Sequence, residues 1–165
     1  MGLSELEIIT RLSLAVLLSG IIGIEREIRK KPAGVRTNAL IGLGASLMTM
    51  CGLYVTAQWG GVTDPGRIAS IVVQGIGFLG AGAIIQSSGA VRGLTTAATM
   101  WVVAGIGIAC GLGFYLAAGV VTAIVFVLLA IFGPVDAKLM GHEEHEQEGL
   151  VKLAISATKT KLKKK

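Results

Sequence analysis

Charged side chains divide this chain into long neutral stretches. None occurs from residue 37 to 63, from 68 to 91, or from 93 to 135. A helix crosses the roughly 30 Å hydrocarbon core of a bilayer in about 20 residues, at about 1.5 Å each. Residues 37–57 and 68–87 each meet that requirement. The neutral run of 43 residues from 93 to 135 is too long for one crossing. It divides best at Gly111-Leu112-Gly113, where the backbone permits a tight reversal, and yields spans over 94–110 and 112–132.

The first span is less clean. Residues 12–24 are neutral but number only 13, about 20 Å of helix. Extending the span back to residue 4 includes Glu5, Glu7 and Arg11. Glu7 and Arg11 are spaced i,i+4 and can pair near the head groups, with Arg11 snorkelling outward. A cleaved signal peptide fits less well, because Glu5 and Glu7 contradict a basic leading region and the residues after Ile24 are charged and not small. The pattern predicts an all-α, polytopic membrane protein: five transmembrane helices over 4–24, 37–57, 68–87, 94–110 and 112–132 form a domain over 1–135, followed by a charged tail over 136–165.

Composition agrees. Of 165 residues, 53% are hydrophobic and 15% charged, where a soluble domain carries about 25% charged residues; mean hydropathy is +0.75. This excludes an ordinary soluble enzyme, a nucleic-acid module and a disordered chain. The net charge of +5 is unevenly placed. Arg26, Arg29, Lys30, Lys31 and Arg36 fall in the first loop, Arg92 in the third, and Lys138 after the last span; Arg11 and Arg67 fall on the other side. By the positive-inside rule the N-terminus lies outside and the C-terminus in the cytoplasm, as an odd number of crossings requires.

Glycine is abundant, with 24 residues. In lipid, small residues let helix backbones approach closely. The third span holds Gly75, Gly77, Gly80 and Gly82, and the fourth holds the Gly107-x-x-x-Gly111 pair. Two readings of residues 75–82 stand: a tightly packed helix, or a locally unwound segment that offers carbonyls to a cation.

Ionisable groups near a membrane are functional candidates because they are expensive there. Glu25, Arg26, Arg36 and Arg92 cluster at one face, beside Thr37, Thr95 and Thr96. Asp64 and Arg67 lie at the other. Asp64-Pro65 reads as a helix cap followed by proline at the first helical position, and Glu25 as a partner of Arg36 or Arg26. Magnesium favours one or two carboxylates with retained water, but Glu25 and Asp64 fall at opposite faces. Gln74, Gln86, Asn38 and Thr99 are read as interhelical hydrogen-bonding groups that also suit a polar path. The identity of any metal site is left unknown. Cys51 and Cys110 read as small buried hydrophobes, and His142-Glu143-Glu144-His145 as a solvated linker. No catalytic set, phosphate loop or cofactor fingerprint occurs, so neither enzyme activity nor a cofactor is expected. In the tail, residues 150–155 alternate as a strand does, and five lysines follow from Lys159, a run able to lie along anionic lipid.

Several blocks together carry a resemblance. Gly23-Ile24-Glu25-Arg26-Glu27, Lys31-Pro32-Ala33-Gly34-Val35-Arg36-Thr37, Asp64-Pro65-Gly66-Arg67-Ile68-Ala69, the run from Gly75 to Gly82, and Val91-Arg92-Gly93-Leu94-Thr95-Thr96 resemble the MgtC/SapB membrane domain, in that order. The resemblance implies a multi-pass protein of the bacterial inner membrane with five helices. Many members carry an ACT-like cytoplasmic domain after the fifth helix, of which this tail holds only an opening strand, as in a short member or a truncated chain. MgtC-type members are associated with adaptation to low magnesium, with virulence, and with restraint of the F-type ATP synthase. The expected partners are therefore the lipid bilayer, a second copy of the chain (a dimer), and a membrane complex such as that synthase, with no nucleic acid. The expected function is a non-enzymatic modulator in magnesium-limitation adaptation or ion homeostasis; a small cation channel or transporter is the alternative.

Overall fold

A computed structural model describes residues 3–58, 64–85 and 93–132 of the chain. Five helices in it are long and apolar enough to cross a membrane: α1 (Glu5–Ile28), α2 (Val35–Gln58), α3 (Pro65–Ile85), α4 (Leu94–Leu112) and α5 (Tyr115–Phe132). Arg92, Gln86, the expected strand over 150–155, the His142/His145 pair and the terminal lysines lie outside the described residues.

The helix boundaries have local causes. Ser4 starts α1 as a capping box: its hydroxyl accepts from the Glu7 N–H, and the Glu7 carboxylate accepts in return from the Ser4 N–H at 2.8 Å. Two orphan donors of the first turn are thereby satisfied. Unlike the expected span, α1 continues past Ile24 through Glu25 and Arg26 to Ile28. It then closes with Lys31 N–H on Arg26 O (2.9 Å) and Lys30 N–H on Glu27 O (3.0 Å), the paired bonds of a Schellman motif. The left-handed position that glycine usually fills in that motif is held by Lys30, at φ 54°. Asp64 Oδ1 accepts from Gly66 N–H at 2.8 Å ahead of α3. The reversal between α4 and α5 falls on Gly113, at φ 85°.

The α4 helix is central, packing against α1, α2 and α3. Half of it is buried, against 11% of α3. Buried positions on α1 recur at Arg11, Ala15, Ser19, Ile22 and Arg26, the spacing of one helical face. On α2 the matching stripe is Asn38, Ile41/Gly42, Ala45/Ser46 and Thr49. Small residues dominate where these faces meet, and that allows backbone-to-backbone contact.

Gly42 abuts Ser19 of α1, and a Cβ there would also lie 3.0 Å from Ala15 O. At Gly107 a Cβ would run into the carbonyl of Gly42 and sit 2.8 Å from the Ala45 methyl. At Gly111 it would sit 2.7 Å from Ser46 O. Gly23, where the contact would be 2.6 Å from Val35 Cα, locks the end of α1 against the start of α2. These positions require glycine because the neighbouring atoms are largely backbone, which cannot swing aside.

The α3 helix is continuous through Gly75–Gly82, so the locally unwound reading of that segment does not hold. Its glycines do not share one role. A Cβ at Gly80 would lie 3.4 Å from the Ala97 methyl, an ordinary contact, whereas one at Gly75, Gly77 or Gly82 would meet nothing within 4 Å. Within this chain the close crossings expected of those three are made by Gly42, Gly107 and Gly111.

Candidate functional site

Polar and charged side chains gather at the two ends of the α1/α2/α4 unit. Contacts between Gly23 and Val35, and between Arg26 and Thr96, bring the C-terminal end of α1, the start of α2 and the start of α4 to one end. The packing of Ile68 against Gly52 puts Asp64 and Arg67 at the other. Glu25 and Asp64 are therefore separated by the depth of the bundle.

At the first end, Arg26 is only 4% exposed and its Nη2 donates to Thr96 Oγ1 at 2.8 Å. This bond ties α1 to the first turn of α4. Glu25 is 5% exposed, and Arg29 Nε lies 2.6 Å from its Oε1, an i,i+4 ion pair. The partner is thus Arg29, one turn along the same helix, and not Arg36 or Arg26 as the sequence led us to expect. Carboxylate Oε2 has no hydrogen-bond partner among the described residues.

The loop between α1 and α2 is held from both sides. Glu27 Oε2 accepts from Val35 N–H at 3.0 Å, which places an anion at the N-terminus of α2, where the helix dipole favours it. Asn38 is fully buried, and its Nδ2 donates to the carbonyls of Ala33 and Gly34. Its amide therefore fastens its own loop. Lys30, Arg36 and Thr37 remain exposed. Thr95 contributes its carbonyl to Thr99 Oγ1 at 2.7 Å.

At the second end Arg11 does not snorkel. It is 9% exposed, 3.9 Å from the Glu7 carboxylate, and its Nη1 donates to Gly111 O at 2.6 Å. A guanidinium on the last carbonyls of α4 complements the negative end of that helix dipole and satisfies an oxygen left free by helix termination. The sequence marks Arg11 as a charge near a span end; its inward turn depends on a carbonyl 100 residues away. Asp64 and Arg67 are both exposed.

Among the described residues no three His, Cys, Asp or Glu side chains come together as a metal-binding group. Cys51 is exposed and Cys110 buried, both as free thiols. The arrangement holds the charges at the rims and fills the middle with glycine, alanine, serine and threonine around the buried Ile22, Val103 and Ile106.

Known proteins give this arrangement a family. The MgtC family model matches residues 12–138. The chain is 41% identical over 133 residues to an uncharacterized protein of Haemophilus influenzae, covering 77% of this chain and 56% of the relative. It is 49% identical over 105 residues to Protein MgtC of Salmonella typhimurium, covering 64% of this chain and 43% of that protein. It is also 40% identical over 149 residues to the "Putative magnesium transporter YhiD" of Escherichia coli K12, covering 88% of this chain and 69% of the relative. The chain thus spans about half the length of the first two of these relatives. No solved structure matches it significantly. With the family model spanning most of its length, from within α1 to beyond α5, the chain belongs to the MgtC family.

Proposed function

We propose that this membrane protein acts as a non-enzymatic modulator in adaptation to magnesium limitation or in ion homeostasis, working through contact with another membrane complex and self-associating as a dimer. It sits in the bacterial inner membrane with its N-terminus outside, because Arg26, Arg29, Lys30, Lys31 and Arg36 share one end of the bundle.

One observation carries the reading. At mid-depth, α1, α2 and α4 meet through Ser19, Gly42 and Gly107 with backbone in contact, and no space is left there for a hydrated cation. Magnesium sheds its water reluctantly, so a dry crossing of small side chains is a poor conduit. The link to magnesium rests on the relatives named MgtC and YhiD.

A second reading, a small cation channel or transporter, draws on the buried Glu25 carboxylate with its unpartnered Oε2 and on the printed name of YhiD. The two readings separate in a paired experiment. A strain lacking this chain is grown in magnesium-limited medium, and the purified full chain is assayed for magnesium entry into proteoliposomes. A modulator restores growth while liposome uptake stays at the protein-free level. Uptake above that level, abolished by Glu25→Gln, would replace the modulator with a transporter.

A further inference from the structure

Two open grooves adjoin on the surface of this protein, one basic and one apolar. The first, about 510 Å³, lies at the loop between α1 and α2 and is lined by Lys30, Lys31, Arg36, Thr37 and Glu27, with the backbone of Gly34. Glu27 accepts from the Val35 N–H and keeps its charge, so the three cations leave a net of two positive charges along this cleft. The second, about 480 Å³, is an apolar slot between α2 and α3, lined by Leu40, Gly44 and Met48 on one side and Val72, Gly75 and Leu79 on the other.

Thr37 borders both grooves. The basic cleft and the apolar groove are therefore neighbours on the surface, with Thr37 between them. From Leu40 to Met48 the slot follows α2 for about 12 Å into the membrane. Its floor is kept low by Gly44 and Gly75, above whose Cβ positions nothing lies within 4 Å. A glycine in a helix interior costs about 1 kcal/mol relative to alanine. Neither residue recovers that cost by packing against the described residues.

We infer that the basic cleft at Lys30, Lys31 and Arg36 and the α2/α3 slot floored by Gly44 and Gly75 form one binding site for an anionic phospholipid. The phosphate-bearing headgroup sits among the three cations, and one acyl chain lies along Leu40 to Met48. Basic pockets at the ends of transmembrane helices recognise anionic headgroups through charge. The adjoining slot sets this site apart from simple surface attraction, because it adds shape to charge. The inference does not depend on whether the protein modulates or transports.

The full chain in nanodiscs of equal phosphatidylglycerol and phosphatidylcholine, released for native mass spectrometry, tests it. Wild-type protein retains one phosphatidylglycerol in preference to phosphatidylcholine. Gly44→Leu and Gly75→Leu fill the slot without meeting protein at the Cβ, so they keep the helical signal and lose the retained lipid. Lys30→Gly relieves the left-handed backbone at φ 54°, so it folds at least as well, yet it lowers the preference about fivefold, the effect of one surface cation. Millimolar inorganic phosphate leaves the lipid in place. Equal retention of the two lipids, lipid retained by both slot-filling variants, or displacement by phosphate alone would overturn the inference. So would slot-filling variants that leave the lipid bound and turn a dimer into a monomer, which would make the slot a contact between copies.

Discussion

Replacing Gly107 by alanine adds one methyl group at the point where α2 and α4 touch. That methyl would run into the Gly42 carbonyl and sit 2.8 Å from the Ala45 methyl, so a backbone must shift. Gly105, two residues away on the same helix, has nothing within 4 Å of its Cβ position. Each change gains about 1 kcal/mol of helix propensity. Only Gly107→Ala bears the cost of overpacking, about 1–3 kcal/mol. The difference between the two variants, about 1–3 kcal/mol, is therefore the steric part alone. Reversible unfolding in mixed micelles, with both variants in one titration series, measures it. Gly105→Ala should match or exceed wild type, and Gly107→Ala should fall about 1–3 kcal/mol below Gly105→Ala. Equal stabilities would refute the claim that backbone contact between α2 and α4 holds the bundle.

Other perturbations read the two rims. Arg11→Met removes the charge-assisted bond to Gly111 O and should lower stability by about 1.5–3 kcal/mol; Arg11→Lys should recover part of that loss, because an ammonium is a compact donor without the guanidinium's fork. In contrast, Glu7→Gln should change little, since the Glu7–Arg11 contact is 3.9 Å long and its carboxylate half exposed. Asn38→Ala removes the side-chain donor from the Ala33 carbonyl, while the Gly34 carbonyl keeps the residue-38 N–H; it should cost about 1–3 kcal/mol, with proteolysis of the α1–α2 loop as a second readout. Lys30→Gly should raise the thermal midpoint, because a non-glycine residue in the left-handed region costs about 1–2 kcal/mol.

Neutral runs make the five crossings legible, since apolar length alone decides whether a helix can span a bilayer. Where the first crossing ends is not legible in that way. The run stops at Ile24 because Glu25 and Arg26 are charged, but α1 continues because Arg29 and Thr96 receive those charges. Thr96 lies 70 residues from Arg26, and local patterning carries no trace of it.

The glycines divide similarly. The i,i+4 pair Gly107/Gly111 is visible as a stripe. Which face of α3 meets a neighbour depends on the rotation of the helix about its axis, which is fixed by partners and not by its own composition. The Gly42–Ser19 contact is fixed in the same way, by the partner helix, although Gly42, Ala45, Ser46 and Thr49 form a small-residue stripe that signals a close crossing. The charge cluster at Arg26 to Arg36 is plain from the sequence. Its junction with an apolar slot through Thr37 is visible only once α3 is laid beside α2.

A dry, closed crossing of α1, α2 and α4, with the ionised groups held at the rims, is the central feature of this bundle. Ser46 is fully buried at that crossing, while Lys30 lies exposed at one rim. With Cys51 and Cys110 replaced, Ser46→Cys and Lys30→Cys are exposed in proteoliposomes to a small charged thiol reagent on both sides of the membrane. The account predicts rapid modification of Lys30→Cys and none of Ser46→Cys over the same period. Modification of Ser46→Cys at a comparable rate would mean that water reaches the middle of the bundle, and would contradict it.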